Sequence, residues 1–260
     1  MNSAELLESL TALARQAGAV VMSVYATDFA VRGKGDASPV TEADERAEAV
    51  ILAGLAQLAP GIPVVAEESV AAGHTPDISS GRFWLVDPLD GTKEFISRNG
   101  EFTVNIALID HGRPVAGVVL APAVGGPAGR LFAGAEGLGA WVEDAQGHRP
   151  IRCRPVPAEG LTVVASRSHG DAAALDAFLA GRPVARLANA GSSLKLCLIA
   201  EGAADLYPRH GRTMEWDIAA GHAVLAAAGG GVWLTDGHLP LGYGKPGFEN
   251  PHFYAASQAG

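Results

Sequence analysis

Two carboxylates, a proline, a glycine and a hydroxyl lie within six residues, at Asp87-Pro88-Leu89-Asp90-Gly91-Thr92. The segment follows Phe83-Trp84-Leu85-Val86, an aromatic and aliphatic run typical of a buried strand. We expect the strand to stop at Asp87-Pro88, turn, and resume at Gly91-Thr92, which leaves both carboxylates at the strand edge. Carboxylates held that close repel each other unless a cation lies between them. Hard oxygen ligands of this kind suit Mg²⁺.

Another pair of carboxylates, Glu67 and Glu68, ends a short predicted strand over Ile62 to Ala66. Adjacent strand ends in one sheet are neighbours in space, so three or four carboxylates are expected to converge. Both pairs of acidic residues could instead have a purely structural role. Glu67 and Glu68 could form an exposed strand end, and Asp87 with Asp90 could form an Asx-turn.

Two other acidic residues occur where helices are predicted to begin. Asp217 follows Trp216 at the start of an apolar helix that runs to Gly229, so it is an N-cap, a metal ligand or both. Thr41 and Asp44 form a Thr-x-x-Asp pattern typical of a capping box. From the spacing alone, capping is the simpler interpretation at both positions.

Two polar segments of the second half are candidates for binding a phosphate. Gly191-Ser192-Ser193-Leu194-Lys195 precedes a predicted helix, where small residues leave backbone N–H groups open to an anion. Ser166-Arg167-Ser168-His169 follows a predicted strand and brings two hydroxyls, a guanidinium and an imidazole together. The structural alternatives are an ordinary loop for the first segment and a helix cap at Ser168 or His169 for the second.

Several classes of function find no support in the sequence. The formal charge of −9 argues against broad binding of nucleic acid, which needs clustered cations. The chain contains no P-loop, no Gly-x-Ser-x-Gly elbow, no Cys-x-x-Cys pair and no His-Glu-x-x-His helix. Gly137-Leu138-Gly139 lacks the later glycine of a dinucleotide site. With only Cys153 and Cys197, a disulfide framework is not expected.

The elements that must position the candidate residues fall into two halves. The first, residues 1–154, is predicted to be α+β and to carry most of the candidate metal ligands. Asn2 to Glu5 resembles a capping box that opens a long amphipathic helix, and a second helix starts near Thr41. Strands over Phe102 to Ile109 and Pro114 to Ala121 flank a tight hairpin turn.

The second half, residues 155–260, alternates strands and helices between Leu161 and Ala228 and is predicted to be α/β. It carries the two phosphate-binding candidates and Asp217. The chain as a whole is therefore expected to be an α/β protein. No apolar stretch is long enough for a transmembrane helix and no basic signal-peptide start is present, so we expect a cytoplasmic protein.

Three motifs together resemble the inositol monophosphatase-like family of Mg²⁺-dependent, lithium-sensitive phosphatases. They are Glu67-Glu68-Ser69, Asp87-Pro88-Leu89-Asp90-Gly91-Thr92 and Trp216-Asp217-Ile218-Ala219-Ala220-Gly221. Other segments are similar to the CysQ branch of that family, namely Asp90 to Phe95, Arg98 to Ala107, Ser166 to His169, Gly191 to Cys197, Tyr207 to Arg209 and Tyr243 to Lys245. The resemblance runs from about the first helix to Phe253.

The resemblance implies a fold, an activity and a set of site residues. The fold is the layered α/β/α/β/α sandwich of the family. The activity is that of a 3′(2′),5′-bisphosphate nucleotidase, which converts adenosine 3′,5′-bisphosphate (PAP) to AMP and phosphate, with the sulfated nucleotide PAPS as a further candidate substrate. The implied ligands of two or three Mg²⁺ ions are Glu67, Asp87, Asp90, Asp217 and the carbonyl of Leu89.

Catalytic roles are implied for Glu67 and for Thr92, which pairs with Asp44 and helps to orient the attacking water. Substrate contacts are implied for Leu89, Asp90, Gly91, Thr92, Arg167, His169, Ser192, Lys195 and Asp217. By resemblance, peripheral contact with the cytoplasmic face of the inner membrane is also open, although no basic amphipathic helix supports it.

Two alternatives to the nucleotidase remain open. One is a phosphatase of the same fold that acts on inositol monophosphate or fructose 1,6-bisphosphate, and the other is a non-catalytic protein that binds nucleotide or metal. The segments Ser166 to His169 and Gly191 to Lys195 favour a nucleotide, because its second phosphate and its base need cations and a stacking surface. The complete carboxylate set disfavours the non-catalytic alternative. The expected partner is a small nucleotide and not a nucleic acid polymer, and the protein is expected to be a monomer or a homodimer.

Overall fold

The computed structural model describes residues 2–33, 39–166 and 172–257. The helices within these ranges are α1 (Ser3–Tyr25), α2 (Glu42–Leu58), α3 (Glu67–Ala71), α4 (Thr92–Ile96), α5 (Ala172–Leu179), α6 (Leu194–Ala200) and α7 (Glu215–Ala227), with one 3₁₀ turn at Pro246–Phe248. None of these described helices has the length and apolar character needed to cross a membrane.

The strands form a two-stranded ribbon and two larger sheets. The ribbon pairs β1 (Val31–Gly33) with β2 (Pro39–Thr41). The large sheet contains, in spatial order, β3 (Val64–Ala66), β4 (Arg82–Asp90), β5 (Thr103–Asp110), β6 (Arg113–Ala121), β7 (Arg130–Ala135), β8 (Gly139–Asp144) and β9 (Gly147–Ile151). The small sheet contains β10 (Leu161–Ser166), β11 (Val184–Ala190), β12 (Leu206–Arg209), β13 (Gly231–Leu234) and β14 (Phe253–Ala256), in the spatial order β11-β10-β12-β14-β13.

The two helices predicted for the first half begin at the predicted capping residues. The Asn2 side chain accepts hydrogen bonds from the backbone N–H groups of Ala4 and Glu5 at 3.0 and 2.9 Å, and the Glu5 carboxylate accepts from Asn2 N at 3.0 Å. Thr41 caps α2 in the same way, since its hydroxyl accepts from Ala43 N at 3.1 Å. Local side-chain chemistry thus fixes both helix starts.

The large sheet is antiparallel from β4 to β9, and only β3 and β4 run parallel. The predicted hairpin between β5 and β6 is confirmed. His111 and Gly112 occupy its turn with φ values of 48° and 76°, the left-handed conformation that a tight two-residue hairpin requires. A chain of local hairpins therefore builds most of this sheet.

The layers follow from which residues share a hydrophobic core. One face of the large sheet packs against α1 and α2. Its other face shares a core with α6, α7 and the inner face of the small sheet. The outer face of the small sheet packs against Leu175, Phe178 and Leu179 of α5. The result is an α/β/α/β/α sandwich, as the resemblance implied.

Helix α7 lies unusually close to the large sheet because two glycines face it. A Cβ atom at Gly117 of β6 would lie 2.5 Å from the carbonyl oxygen of Ala220, and one at Gly134 of β7 would lie 2.9 Å from Ala227 Cβ. Such distances do not occur between real atoms, so the absence of a side chain at both positions permits the packing. A helix from the second half of the chain therefore packs directly against the sheet formed by the first half.

The prediction that the buried strand stops at Asp87 is wrong. Strand β4 continues to Asp90, with a bulge between Asp87 and Asp90 where the pairing with β5 is interrupted. Pro88 lies inside the bulge, where its missing N–H costs no ladder hydrogen bond. The chain turns only at Gly91, with a φ of 91°, and then enters α4. The bulge also contains the Asx contact considered above, because Asp87 Oδ1 accepts from Leu89 N at 3.0 Å.

Other differences concern the ends of elements and short strands. Glu67 and Glu68 do not end a strand but open the short helix α3, and α7 begins at Glu215, so Asp217 is its third residue and not its cap. Strands β13 and β14, each four residues long, were not predicted. Short apolar runs of this length carry too little periodicity to be assigned from the sequence.

Candidate active site

A cavity of about 230 Å³ lies where the end of β4, the start of α4, the loop before α6 and the start of α7 meet. Of the predicted site residues, those that line it are Glu67, Asp90, Gly91, Thr92, Ser192, Lys195 and Asp217. Asp87 and Leu89 are 2% and 1% exposed and lie within the bulge next to Asp90 instead. Arg167 and His169 lie outside the described residues.

Asp90 accepts hydrogen bonds from one residue of β5 and from one residue of the loop before α6. Its Oδ2 atom accepts from the backbone N–H of Ser193 at 2.7 Å and from the amide of Asn105 at 3.4 Å. Burial raises the pKa of Asp90 to about 6, although the positive charge of Lys195 and the hydrogen bonds from Ser193 act in the opposite direction. The carboxylate is therefore in an environment that disfavours its charge unless a cation is present.

Asp217 was considered as an N-cap and as a metal ligand, and its side chain contributes to the start of α7 and also lines the cavity. Its Oδ2 atom accepts from the backbone N–H of Met214, the N-cap residue, at 2.9 Å, so Asp217 supplies the capping-box carboxylate of α7 without being its N-cap. It also lines the cavity with Asp90 and Glu67. Burial, and then the negative charges of Asp90 and Glu67, raise the pKa of Asp217 well above its ordinary value. Carboxylates from two other elements thus disfavour the charged form of Asp217.

Ser193 joins the two halves of the site. Its hydroxyl accepts from the Asn105 amide at 2.9 Å and donates to the carbonyl oxygen of Asp217 at 2.6 Å, while its backbone N–H donates to Asp90. Ser193 is 2% exposed and Asn105 is fully buried. The sequence reasoning assigned no role to Asn105 and included Ser193 only in the phosphate-binding candidate Gly191 to Lys195, whereas its N–H group is taken by Asp90. A polar residue inside the apolar run Val104-Asn105-Ile106 was the available signal.

Thr92 and Asp44 are in contact, as the resemblance implied. The Thr92 hydroxyl lies 3.3 Å from Asp44 Oδ1 and 3.4 Å from the carbonyl oxygen of Leu89. The other oxygen of Asp44 accepts from the backbone N–H and the hydroxyl of Thr41, both at 2.8 Å. Asp44 is 1% exposed, so it reaches the cavity only through Thr92. The capping box and the contact with Thr92 are two functions of one carboxylate.

The position of Glu67 depends on Glu48, a residue of α2 that the sequence reasoning did not identify. The Glu48 carboxylate accepts from the backbone N–H groups of Glu68 and Ser69, each at 2.8 Å, and from the Ser69 hydroxyl at 2.6 Å. Glu48 is only 4% exposed. An acceptor at the start of α3 fixes that helix, and Glu67 is its first residue. Glu68, by contrast, is not among the cavity-lining residues.

Two buried cations also line the cavity. The Lys195 ammonium donates to the carbonyl oxygens of Ala190 and Ser192 at 3.2 and 2.7 Å, and burial lowers the pKa of Lys195 to about 8. Arg209 of β12, which is 8% exposed, also lines the cavity and was not predicted as a site residue. The cavity is therefore lined by a group of carboxylates, Glu67, Asp90 and Asp217, and by the two cations, which we call its acidic side and its basic side.

Ser192 also lines the cavity and has an unusual conformation. Its φ of 46° is in the left-handed region, which a residue with a side chain rarely adopts, and its hydroxyl is buried without a hydrogen-bond partner among the described residues. Strain and an unpaired buried polar atom in a cavity wall point to a ligand that satisfies them.

The acidic side fits a hard divalent cation. Its donors are carboxylate oxygens, and a cation would offset the burial and the repulsion that together raise the pKa of Asp217. In the described ranges, no three acidic, histidine or cysteine side chains enclose an ion by themselves. Mg²⁺ does not require that, because it keeps several waters and commonly takes one or two carboxylates together with substrate phosphate.

Comparisons with known proteins agree with this chemistry. The sequence model of the inositol monophosphatase family matches residues 2–258. The 3'(2'),5'-bisphosphate nucleotidase CysQ of Escherichia coli O157:H7 is 49% identical over 251 residues, which cover 95% of this chain and 98% of that protein. The crystal structure of CysQ from Bacteroides thetaiotaomicron, a bacterial member of the inositol monophosphatase family, aligns with a TM-score of 0.78 at 36% identity and covers 97% of both chains. The inositol monophosphatase of Anabaena (Nostoc) sp. PCC 7120 aligns with a TM-score of 0.76 at 28% identity, over 100% of this chain and 93% of that one.

Proposed function

The chain belongs to the inositol monophosphatase family, and on that premise we propose that it is a metal-dependent 3′(2′),5′-bisphosphate nucleotidase that hydrolyses PAP to AMP and phosphate. The observation that carries the proposal is the 49% identity to CysQ nucleotidases over almost the full length of both chains. The two-sided cavity supports it. A nucleoside bisphosphate needs cations for its second phosphate in addition to the metal ions that the carboxylates would hold at the first, and Lys195 and Arg209 supply them.

We propose Mg²⁺ as the metal, in two or three ions, with ligands from Glu67, Asp87, Asp90, Asp217 and the Leu89 carbonyl. When bound, the ions supply neutralisation of the phosphate charge, activation of a water molecule and stabilisation of the leaving oxygen. The support from this chain is the set of mutually repelling carboxylates at one side of the cavity.

The protein groups around the metals position the reacting atoms. Thr92 donates its hydroxyl proton toward Asp44, so its oxygen lone pairs face the cavity and accept a hydrogen bond from the attacking water. Asp44 is held by Thr41 in the orientation that receives the Thr92 hydroxyl. We assign the scissile phosphate to the backbone N–H groups of Gly91 and Thr92, at the turn between β4 and α4.

The nucleotide is assigned to the basic side. The unpaired hydroxyl of Ser192 would form a hydrogen bond with the ligand. Lys195 and Arg209 would face the phosphate that is not hydrolysed. The predicted contacts of Arg167 and His169, activity on PAPS, the oligomeric state and a cytoplasmic location all stay predictions.

The decisive experiment measures phosphate release from PAP, inositol 1-phosphate and fructose 1,6-bisphosphate, with Mg²⁺ and with or without Li⁺. We expect efficient, Li⁺-sensitive hydrolysis of PAP and much slower release from the other two. Preferred hydrolysis of inositol 1-phosphate or fructose 1,6-bisphosphate would instead support the first alternative. No release from any substrate, with PAP still bound in a calorimetric titration, would identify a non-catalytic binding protein.

A further inference from the structure

A second cavity lies on the opposite face of α7 from the carboxylates. Its volume is about 510 Å³, compared with about 230 Å³ for the cavity of the candidate active site. Asp217 faces the first cavity and His222 lines the second. Five residues of helix separate them, which is a rotation of about 140° and a rise of about 7.5 Å. A volume of this size is in the range of small-molecule sites.

The second cavity has one buried polar group in its wall. His222 is 7% exposed, and its Nδ1 atom lies 2.9 Å from the Tyr243 hydroxyl. Within the described ranges no hydrogen bond to its Nε2 atom is found, and the residue lines the cavity. A phenol is a better donor than a neutral imidazole, so we assign the Tyr243 proton to the bond with Nδ1 and the ring proton to Nε2. Burial lowers the pKa of His222 to about 3, which keeps the ring neutral.

The other side chains that line the cavity are either apolar or charged and joined in an ion pair. Ala223 and Leu241 contribute methyl groups, and the only ion pair at the rim in the described chain joins Arg113 to Glu136, which neutralise each other. No unpaired charge of the rim is thus available to an ionic ligand. A neutral, largely apolar molecule is the chemistry that this wall accepts.

Two exposed leucines flank the cavity. Leu138, between the lining residues Gly137 and Gly139, is 51% exposed, and Leu239, next to the lining residue Pro240, is 62% exposed. They are two of the six large hydrophobic side chains exposed in the described part of the chain. Both side chains add apolar surface beside the lining residues.

We propose that this cavity is a binding site for a small, neutral, ring-shaped molecule with one hydrogen-bond acceptor, of the class of aromatic or alicyclic carbonyl compounds. The ring lies against Ala223 and Leu241, and the carbonyl oxygen accepts from Nε2 of His222. The site does not depend on the proposed phosphatase activity, since none of its residues lines the first cavity.

The test uses acetophenone as the probe and ethylbenzene as its counterpart without the carbonyl. Each is titrated into the ¹⁵N-labelled full chain, and the backbone amide signals are followed. We expect acetophenone to shift the signals of Gly137, Gly139 and Ala223, and to bind about tenfold more tightly than ethylbenzene because of the hydrogen bond to His222.

Three variants sharpen the test. A226W places an indole in the cavity from an exposed position of α7 and should abolish binding of both probes. H222F keeps a ring but removes the donor, and should erase the preference for acetophenone. L187A removes an exposed leucine of β11, far from the cavity in the fold, and should change nothing. Thermal unfolding followed by circular dichroism checks that each variant is folded.

Several results would overturn the proposal. One is the absence of localised changes in the amide signals up to the solubility limit of acetophenone. Another is a shift of the amide signals of Thr92 and Ser193, which belong to the first cavity, in place of those at the second. Binding that is unchanged in A226W would also exclude this cavity. If H222F fails to fold, the A226W result decides alone.

Discussion

At the scale of single residues, the candidate site is a set of carboxylates that repel one another and are held in place by uncharged donors. Asp90 and Asp217 share no direct hydrogen bond, yet each is linked to Ser193. The types and spacing of Asp87, Asp90 and Thr92 indicated the chemistry from the sequence. The donors could not be foreseen, because Asn105 and Ser193 become neighbours only when distant segments meet.

Asp90→Asn should remove most of the activity and leave the fold intact. Asparagine keeps the oxygen that accepts from Ser193 N but loses the charge that would hold a cation, so we expect turnover of PAP to fall by at least about 10²-fold. Phosphate release and circular dichroism measure the two effects. The exposed Asp236→Asn is the matched control, and wild-type turnover in Asp90→Asn would contradict the metal assignment.

The stability of the metal-free protein should decrease as the pH rises through the acidic range. The pKa of Asp90 is raised from 3.8 to about 6 in the folded protein, so the folded state binds more protons than the unfolded state between these values. In EDTA, we expect a loss on the order of 2 kcal/mol between pH 4 and pH 7, smaller in Asp90→Asn. Urea unfolding at several pH values tests this. Saturating Mg²⁺ should reverse the trend, and an unchanged trend in Asp90→Asn would exclude Asp90 as the cause.

Ser193→Ala should weaken both the fold and the response to metal. The change leaves the Asn105 amide and the Asp217 carbonyl without their shared partner, which costs about 1–3 kcal/mol for buried polar groups. It should also raise the Mg²⁺ concentration at half-maximal activity, because Asp90 and Asp217 lose a common anchor. Ser97→Ala, at an exposed hydroxyl, is the control. Equal Mg²⁺ dependence in both variants would show that Ser193 acts only in folding.

At the scale of elements, caps and hairpins were predictable and long-range pairings were not. The starts of α1 and α2 depend on residues within three positions of each other, so the sequence carries the whole signal. The bulge in β4 depends on pairing with β5, and β13 and β14 depend on partners from elsewhere in the chain. A local pattern cannot contain such information.

Glu48→Ala tests whether one helix positions the first residue of another. Without the Glu48 carboxylate, the N–H groups that open α3 lose their acceptor, and Glu67 is no longer held at the cavity. We expect a loss of about 1.5–3 kcal/mol in the free energy of unfolding and a lower kcat. Glu48→Gln, which keeps one acceptor oxygen, should restore part of both. Glu45→Ala, on an exposed face of α2, is the control, and an unaltered kcat in Glu48→Ala would contradict the positioning role.

At the scale of the whole molecule, the two sheets are joined by a shared layer. Helices α6 and α7 belong to the second half of the sequence but pack against the sheet of the first half. The candidate site lies at this junction, with Asp90 from one side and Asp217 from the other. The division at residues 154 and 155 stays a prediction about sequence organisation, and we expect no independent unfolding of the halves.

Gly117→Ala should therefore destabilise the entire protein in one step. The new Cβ would lie 2.5 Å from the Ala220 carbonyl oxygen, which forces α7 away from β6. We expect a loss of about 1–3 kcal/mol for such overpacking. Far-UV circular dichroism and tryptophan fluorescence should still report coincident urea transitions. Gly33→Ala, where no atom lies within 4 Å of the added Cβ, is the control. Separate transitions would show that the halves are independent units.

The spatial order of the small sheet has a consequence for how the protein is made. Strand β14 lies between β12 and β13, so β13 joins the sheet only through residues 253–256. While the ribosome is still adding these residues, β13 has no partner strand, and the core that α7 shares with the small sheet is incomplete. The small-sheet side of this core is thus completed only after residues 253–256 have been synthesised.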